Sequence, residues 1–262
     1  MSKPDLQKLF GLDGRVALIT GGSRGLGFEA ARGLAAAGAR VILVSRKAES
    51  CEAAAAAIRA EGGDALAIAC HMGRLDDIEA LAGRVTAMGR LDILINNAAA
   101  PLPFTLDTLT EALFDKSFEV NTKGPLFLVK ALRPLLAASP SARDPACGGA
   151  SVVNVLTVGA FMGTPTQLGY GSSKAALAHL TRSLARHLVG DRIRVNAISP
   201  GPFATHMVTS GGDELIAKSA AGTAQKRVAD PSEIIGAALF LASDASSFVT
   251  GTVLTVDGGW LA

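Results

Sequence analysis

The sequence predicts a single α/β domain over residues 1–262, a doubly wound parallel sheet of about seven strands with helices on both faces. Three observations predict it. Short apolar runs alternate with Ala- and Leu-rich helical stretches along the whole chain. The runs are near-continuous rather than alternating in polarity, as parallel strands covered on both faces require. The length of 262 residues is enough for one large core, and no repeat or linker divides it.

Strands are expected at 15–20 (RVALIT), 40–44, 65–69, 91–96 (LDILIN), 151–156 (SVVNVL), 193–198 and 252–256. Helices are expected at 25–37, 48–61, 74–88, 107–137, 170–189 and 231–242. The last starts at Asp230-Pro231-Ser232-Glu233, an acidic cap followed by proline in the first turn. Residues 137–149 (AASPSARDPACGG) read as a long surface loop. Residues 201–222 follow the sixth strand and break the alternation. Loops beyond strand C-termini bind ligands in such sheets, so 202–222 is a candidate substrate loop.

A net charge of +2 gives no case for nucleic acid or for a polybasic membrane contact. Cys51, Cys70 and Cys147 are odd in number and widely spaced, which suits a reducing compartment and no metal site. The first residues have no apolar stretch of the signal-peptide kind, and no apolar run is long enough to span a membrane. A cytoplasmic protein acting on a small molecule is the expectation.

Directly after the first strand comes TGGSRGLG, Thr20 to Gly27, leading into a helix. Glycines let backbone amides approach a phosphate, and the helix N-terminus adds a favourable dipole. Gly21, Ser23, Arg24, Gly25, Leu26 and Gly27 are therefore candidate cofactor contacts, against the plainer reading of a tight strand-to-helix turn. The end of the second strand reads Val44-Ser45-Arg46-Lys47, where an NAD site carries an acid for the ribose hydroxyls. Arg46, with Ser45 beside it, suits a 2′-phosphate instead. NADP(H) is favoured over NAD(H).

Tyr170, the only tyrosine of the chain, lies four residues before Lys174, so the two share a helix face. A phenol with a pKa of about 10 is a poor acid or base at neutral pH, and a nearby ammonium draws that value down. Such a pair suits proton exchange with an alcohol or carbonyl oxygen. A half-buried tyrosine beside a surface lysine is the plainer alternative.

Taken together, the motifs resemble the short-chain dehydrogenase/reductase family over essentially the whole chain. TGGSRGLG is similar to its T-G-x-x-x-G-x-G turn, NNAA at 96–99 to its N-N-A-G, and Asn121 in FEVNTKG to its catalytic asparagine. Tyr170 and Lys174 match Y-x-x-x-K, and Pro200-Gly201 with Thr205 matches P-G-x-x-x-T. The resemblance implies a single-domain Rossmann fold and carbonyl reduction or alcohol oxidation, with Tyr170 as general acid/base and Lys174 tuning it. It implies that Asn121 holds a water of the proton relay. It further implies that Met72, Asn97, Tyr170, Lys174, Pro200, Gly201 and Thr205 touch the cofactor, and that the chain forms a homotetramer.

Three positions depart from the family pattern. Thr157 stands where a serine would bind the substrate oxygen; it keeps the hydroxyl but adds a methyl and stiffens χ1. Ala99 replaces a glycine, and His71 stands where an aspartate near the adenine is usual. Phe104, Phe161, Met162, Leu168, Phe203, His206 and Met207 are candidate pocket residues, favouring a medium-sized, largely apolar ketone or aldehyde. A 3-oxoacyl thioester or a keto sugar acid is the alternative within the family, and Lys218, Lys226 and Arg227 are candidate contacts for an anionic carrier. A catalytically weak dinucleotide-binding sensor or structural protein is the alternative from another class.

Overall fold

The computed structural model describes residues 5–144 and 147–262. A short helix, α1 (Leu6–Phe10), precedes β1 (Val16–Thr20), and α2 (Gly25–Ala36) follows it. Next come β2 (Arg40–Ser45), α3 (Ala48–Ala60), β3 (Asp64–Ala69), α4 (Leu75–Ala87) and β4 (Ile93–Asn96). The second half holds α5 (Glu111–Phe118), α6 (Gly124–Ala138), α7 (Pro140–Arg143), β5 (Ala150–Val155) and α8 (Leu168–His187). It closes with β6 (Ile193–Pro200), α9 (His206–Thr209), α10 (Gly212–Gly222), α11 (Ile235–Ala242) and β7 (Val253–Val256).

The seven strands form one sheet in the order β3-β2-β1-β4-β5-β6-β7, with every pair parallel. The strands were expected from their apolar runs; β4, β5 and β6 are buried along their whole length, whereas the edge strands β3 and β7 keep exposed positions. On one face α2, α3 and α11 supply Leu34, Ile58 and Leu241 to the core. On the other α4 and α6 supply Ile78, Leu81, Val85, Leu128 and Leu132.

The chain order reverses at β1, which pairs with both β2 and β4. Thr20 sits opposite Val44 on one side and Asn96 on the other, so the C-terminal ends of these strands are level. A crevice opens outside strand ends at such a reversal.

Three expectations are corrected. The helix expected over 107–137 starts at Glu111 and is split by a π-helical turn, Glu119–Lys123. Thr105 and Thr108 form a hydrogen-bonded turn before it, and the Thr110 hydroxyl caps the Leu113 amide at 3.3 Å. Short hydroxyl side chains compete with helical backbone bonds in this way. The stretch 137–149 is not a surface loop throughout, and Pro145 and Ala146 lie outside the described residues. It contains α7, whose Ser141 is buried and donates to Asp92 Oδ1 at 2.7 Å. Asp92, just before β4, is fully buried and also accepts from the Val16 amide and the Arg90 guanidinium. The acidic cap expected at Asp230 forms, and Glu233 completes a capping box; the residues after the cap, Pro231–Ile234, make a 3₁₀ turn, so that α11 starts at Ile235 rather than at 231.

Candidate active site

A cleft of about 1090 Å³ runs across the C-terminal ends of β1, β2, β4, β5 and β6. One end is built on the glycine turn. Gly21 and Gly25 have φ of +66° and +58°, a backbone region that glycine enters without strain. Gly27 faces inward: a Cβ there would stand 2.3 Å from Asn97 Nδ2 and 2.5 Å from the Gly21 carbonyl oxygen.

Asn97 is the clamp of this turn. Its Nδ2 donates to the carbonyls of Thr20 and Gly21 at 3.0 and 3.1 Å, while its own amide and that of Ala98 donate to the Thr20 hydroxyl. The ends of β1 and β4 are thereby tied together, and the first turn of α2 is held open toward the cleft. Across the cleft Thr205 approaches Gly25, whose added Cβ would meet the Thr205 methyl at 3.3 Å.

Arg24, Ser45, Arg46 and Lys47 line the same end. Arg24 and Arg46 are exposed, and neither guanidinium has a hydrogen-bond or ion-pair partner among the described residues. No acid stands at the end of β2; the Ser45 hydroxyl donates to the Lys47 carbonyl. Met72 is buried in the cleft wall beside His71 and Cys70. The His71 Nδ1 accepts from the Gly73 amide at 3.1 Å, which leaves the ring proton on Nε2.

The other end holds Thr157, Tyr170 and Lys174. Thr157 follows β5 and caps the 3₁₀ turn Val158–Ala160: its Oγ1 accepts from the Gly159 amide at 3.3 Å. The hydroxyl proton is thereby left to donate. Tyr170 is in the first turn of α8 and 7 % exposed, and burial pushes its phenol up to about 12. Lys174 is 1 % exposed, and burial pushes its ammonium down to about 7. In this structure burial outweighs any lowering of the phenol by the lysine.

Of the expected site residues, Gly21, Ser23, Arg24, Gly25, Leu26, Ser45, Arg46, Met72, Asn97, Thr157, Tyr170, Lys174, Pro200, Gly201 and Thr205 come together in this one cleft. Gly27 stands behind the turn, where it shapes the cradle without lining it. Asn121 lies in the π-helical turn, fully buried, and its amide is used within the protein. Its Oδ1 accepts from the Ala100 amide at 2.8 Å, and its Nδ2 donates to Ser173 Oγ at 3.0 Å.

The pocket expectations divide. Phe203, His206 and Met207 line the cleft. Phe104 is buried against Gly169, and Phe161, Met162 and Leu168 lie on the surface outside the cleft. Met162 instead takes the Trp260 indole N–H on its sulfur. Sequence reading missed Leu102, Lys116, Val120 and Val208 in the wall, because nothing local marks a side chain that only strand order brings there. Arg227 is committed to Glu233 through two bonds of 2.6 and 2.7 Å, and Lys226 to the Ala221 carbonyl. Among the described residues no group of acids, cysteines and histidines is arranged to hold a metal, and no helix is long and apolar enough to cross a membrane.

A family model described as enoyl-(acyl carrier protein) reductase matches residues 21–261. An uncharacterized oxidoreductase of Mycobacterium tuberculosis is 41 % identical over 255 residues, 96 % of this chain and 94 % of the relative. The rhamnolipids biosynthesis 3-oxoacyl-[acyl-carrier-protein] reductase of Pseudomonas aeruginosa is 37 % identical over 257 residues, covering 96 % and 98 %. The solved RhlG/NADP active-site complex of the same organism superposes with a TM-score of 0.90 at 36 % identity, over 97 % of this chain and 99 % of that one. With its parallel sheet, glycine turn and Tyr170–Lys174 pair on one cleft, the chain belongs to the short-chain dehydrogenase/reductase family, the oxidoreductases that its sequence resembles.

Proposed function

We propose that this protein is an NADP(H)-dependent oxidoreductase that interconverts a carbonyl and an alcohol, with Tyr170 exchanging the proton at the substrate oxygen. One observation carries the reading. A single cleft joins the glycine cradle and its unpaired arginines to the Thr157 hydroxyl, the Tyr170 phenol and Lys174.

The residues fit a 2′-phosphorylated dinucleotide. The open turn at Gly21 and Gly25 and the N-terminus of α2 would hold the pyrophosphate. Arg24 and Arg46 offer fork-shaped donors to the 2′-phosphate, and no carboxylate at the end of β2 opposes it. Lys174, Pro200, Gly201 and Thr205 would hold the nicotinamide end. When bound, NADP(H) supplies or accepts the hydride.

The protein's own part is the proton. The free O–H of Thr157 donates to the substrate oxygen and fixes its position. Tyr170 gives that oxygen a proton in reduction and takes it back in oxidation. Lys174 brings a positive charge to the phenolate side of that exchange. Asn121 braces the wall behind them and supports the relay from there. Burial of the phenol keeps it protonated, the form that reduction needs.

Leu102, Met207 and Val208 make the substrate end largely apolar, which supports a medium-sized ketone or aldehyde. The 3-oxoacyl thioester is the second reading, favoured by the name of the Pseudomonas reductase. The segment 202–222, expected as a loop, folds largely into α9 and α10; we read it, with His206 and Met207 in the cleft, as the segment that covers substrate. The exposed apolar side chains Leu106, Leu109, Phe114 and Phe127 support assembly into a homo-oligomer, measurable by light scattering. The free thiols of Cys51, Cys70 and Cys147 suit a reducing, cytoplasmic setting.

The test is NADPH oxidation across a panel of ketones, aldehydes and 3-oxoacyl thioesters. Turnover is expected, with Tyr170→Phe losing about 10²–10⁴-fold while NADPH binding persists. Tight NADPH binding without turnover on any carbonyl or alcohol would support the sensor reading instead.

A further inference from the structure

Ser173 lies between Tyr170 and Lys174 on α8 and is fully buried. Its hydroxyl has two partners on different elements. It accepts from Asn121 Nδ2 at 3.0 Å, from the π-helical turn, and donates to the Tyr170 carbonyl at 2.8 Å, in its own helix. Its carbonyl accepts from the Thr122 hydroxyl at 2.8 Å. The first turn of a helix frays most easily, because its amides lack helical partners. Tyr170 sits in that turn, and Ser173 ties it to the neighbouring wall.

We propose that Ser173 is a positioning residue for the proton-transfer step, fixing the register of Tyr170 against Asn121 through this one shared hydroxyl. The inference rests on the reading of Tyr170 as the proton-exchanging group. The Asn121 amide has few other outlets: its Oδ1 is taken by the Ala100 amide, and its remaining bond, to the Ala100 carbonyl, is the longer one at 3.3 Å. Without the serine hydroxyl, a buried N–H loses its shorter partner, and buried donors in a low-dielectric wall are not left so at small cost. The wall and the tyrosine's turn then loosen together.

The other ionisable groups on the cleft are Lys174 on the same helix, Lys116 on α5, Cys70 and His71 after β3, and His206 on α9. Arg24, Arg46 and Lys47 stand at the far end. The Ser173 hydroxyl is hydrogen-bonded to none of them.

The chain has one tyrosine, so ultraviolet phenolate absorbance reads Tyr170 directly, without any substrate. Ser173→Ala is expected to move the phenol titration down from about 12 toward its ordinary 10, as water enters the loosened turn. With NADPH and acetoacetyl-CoA as the probe, kcat should fall roughly ten- to a hundredfold with KM for NADPH nearly unchanged. Ser173→Thr, which keeps the hydroxyl, should restore both. Thr122→Val removes a neighbouring bond only, and should lower the melting temperature without shifting the titration. Should Ser173→Ala not fold, Ser173→Cys, with its weak acceptor, should shift the titration the same way. A Ser173→Ala or Ser173→Cys protein that melts earlier but titrates and turns over as the parent does would overturn the proposal. A parent with no activity on any carbonyl would instead remove the functional reading, and the titration would still decide the coupling.

Discussion

The Nζ of Lys174 donates to the carbonyl oxygen of Val155 at 2.6 Å, joining α8 to the last residue of β5 beneath the candidate proton donor. Burial lowers the lysine from 10.5 to about 7, whereas the bond to Val155 favours the charged form. An unfolded lysine keeps its ordinary value. Below about pH 7 both states are charged and the full burial cost is felt; between 7 and 10.5 the folded chain sheds its proton first, and the cost shrinks. Lys174→Met should therefore raise the melting temperature over the parent most at and below pH 7, and least near pH 10. Scanning stops there because the raised phenol of Tyr170 begins to favour the folded state less above 10. A difference that stays flat from pH 6 to pH 10 would mean that the Val155 bond cancels the burial effect.

Arg46 is the residue we propose to decide between the two nicotinamide cofactors. Arg46→Asp replaces a donor fork by a carboxylate that repels a 2′-phosphate and accepts from ribose hydroxyls. NADPH affinity should drop by one to two orders of magnitude, roughly the 1.5–3 kcal/mol of a charged hydrogen bond. NADH affinity should hold or rise. Equal losses for both, measured by fluorescence titration, would sink the assignment.

Thr157 offers its O–H to the cleft while its Oγ1 is held by the Gly159 amide. Thr157→Ser keeps that bond and removes one methyl, so bulkier ketones should gain kcat/KM relative to small ones. A uniform rise over the whole panel would mark the threonine as a handicap rather than a shaping residue. Thr157→Val keeps the shape and removes the donor, and should cost about 10²-fold or more in kcat.

Gly27 has no room for a side chain. Gly27→Ala puts a Cβ against Asn97 Nδ2 and the Gly21 carbonyl, so Asn97 must release the turn it clamps. A loss of about 1–3 kcal/mol in stability is expected, with weaker NADPH binding. Unchanged melting and binding would show that the clamp is dispensable.

Much of this was legible in the sequence. The inner strands declare themselves because parallel strands buried on both faces are apolar throughout. The glycine turn is legible because only glycine meets its backbone and space requirements. The π-helical turn was not, since Glu119–Lys123 has the composition of ordinary helix, and the extra residue shows only in the Gly124 amide reaching the Glu119 carbonyl. Phe161 and Met162 are apolar pocket candidates in the sequence that do not reach the cleft. The 3₁₀ turn after Thr157 carries them to the surface.

The sequence by itself determined the alternating architecture, the order of the motifs, and the residue types that could carry hydride-partner chemistry. Those follow from local rules: periodicity, turn stereochemistry and the reach of one helical turn. The tertiary structure decided which groups meet. It gave the Lys174 proton to Val155, the Asn121 amide to Ser173 across 52 residues of chain, and the Asn97 amide to the turn at Thr20 and Gly21. Such pairings depend on the strand order and on how closely α8 and the π-helical turn pack, and no local pattern encodes either.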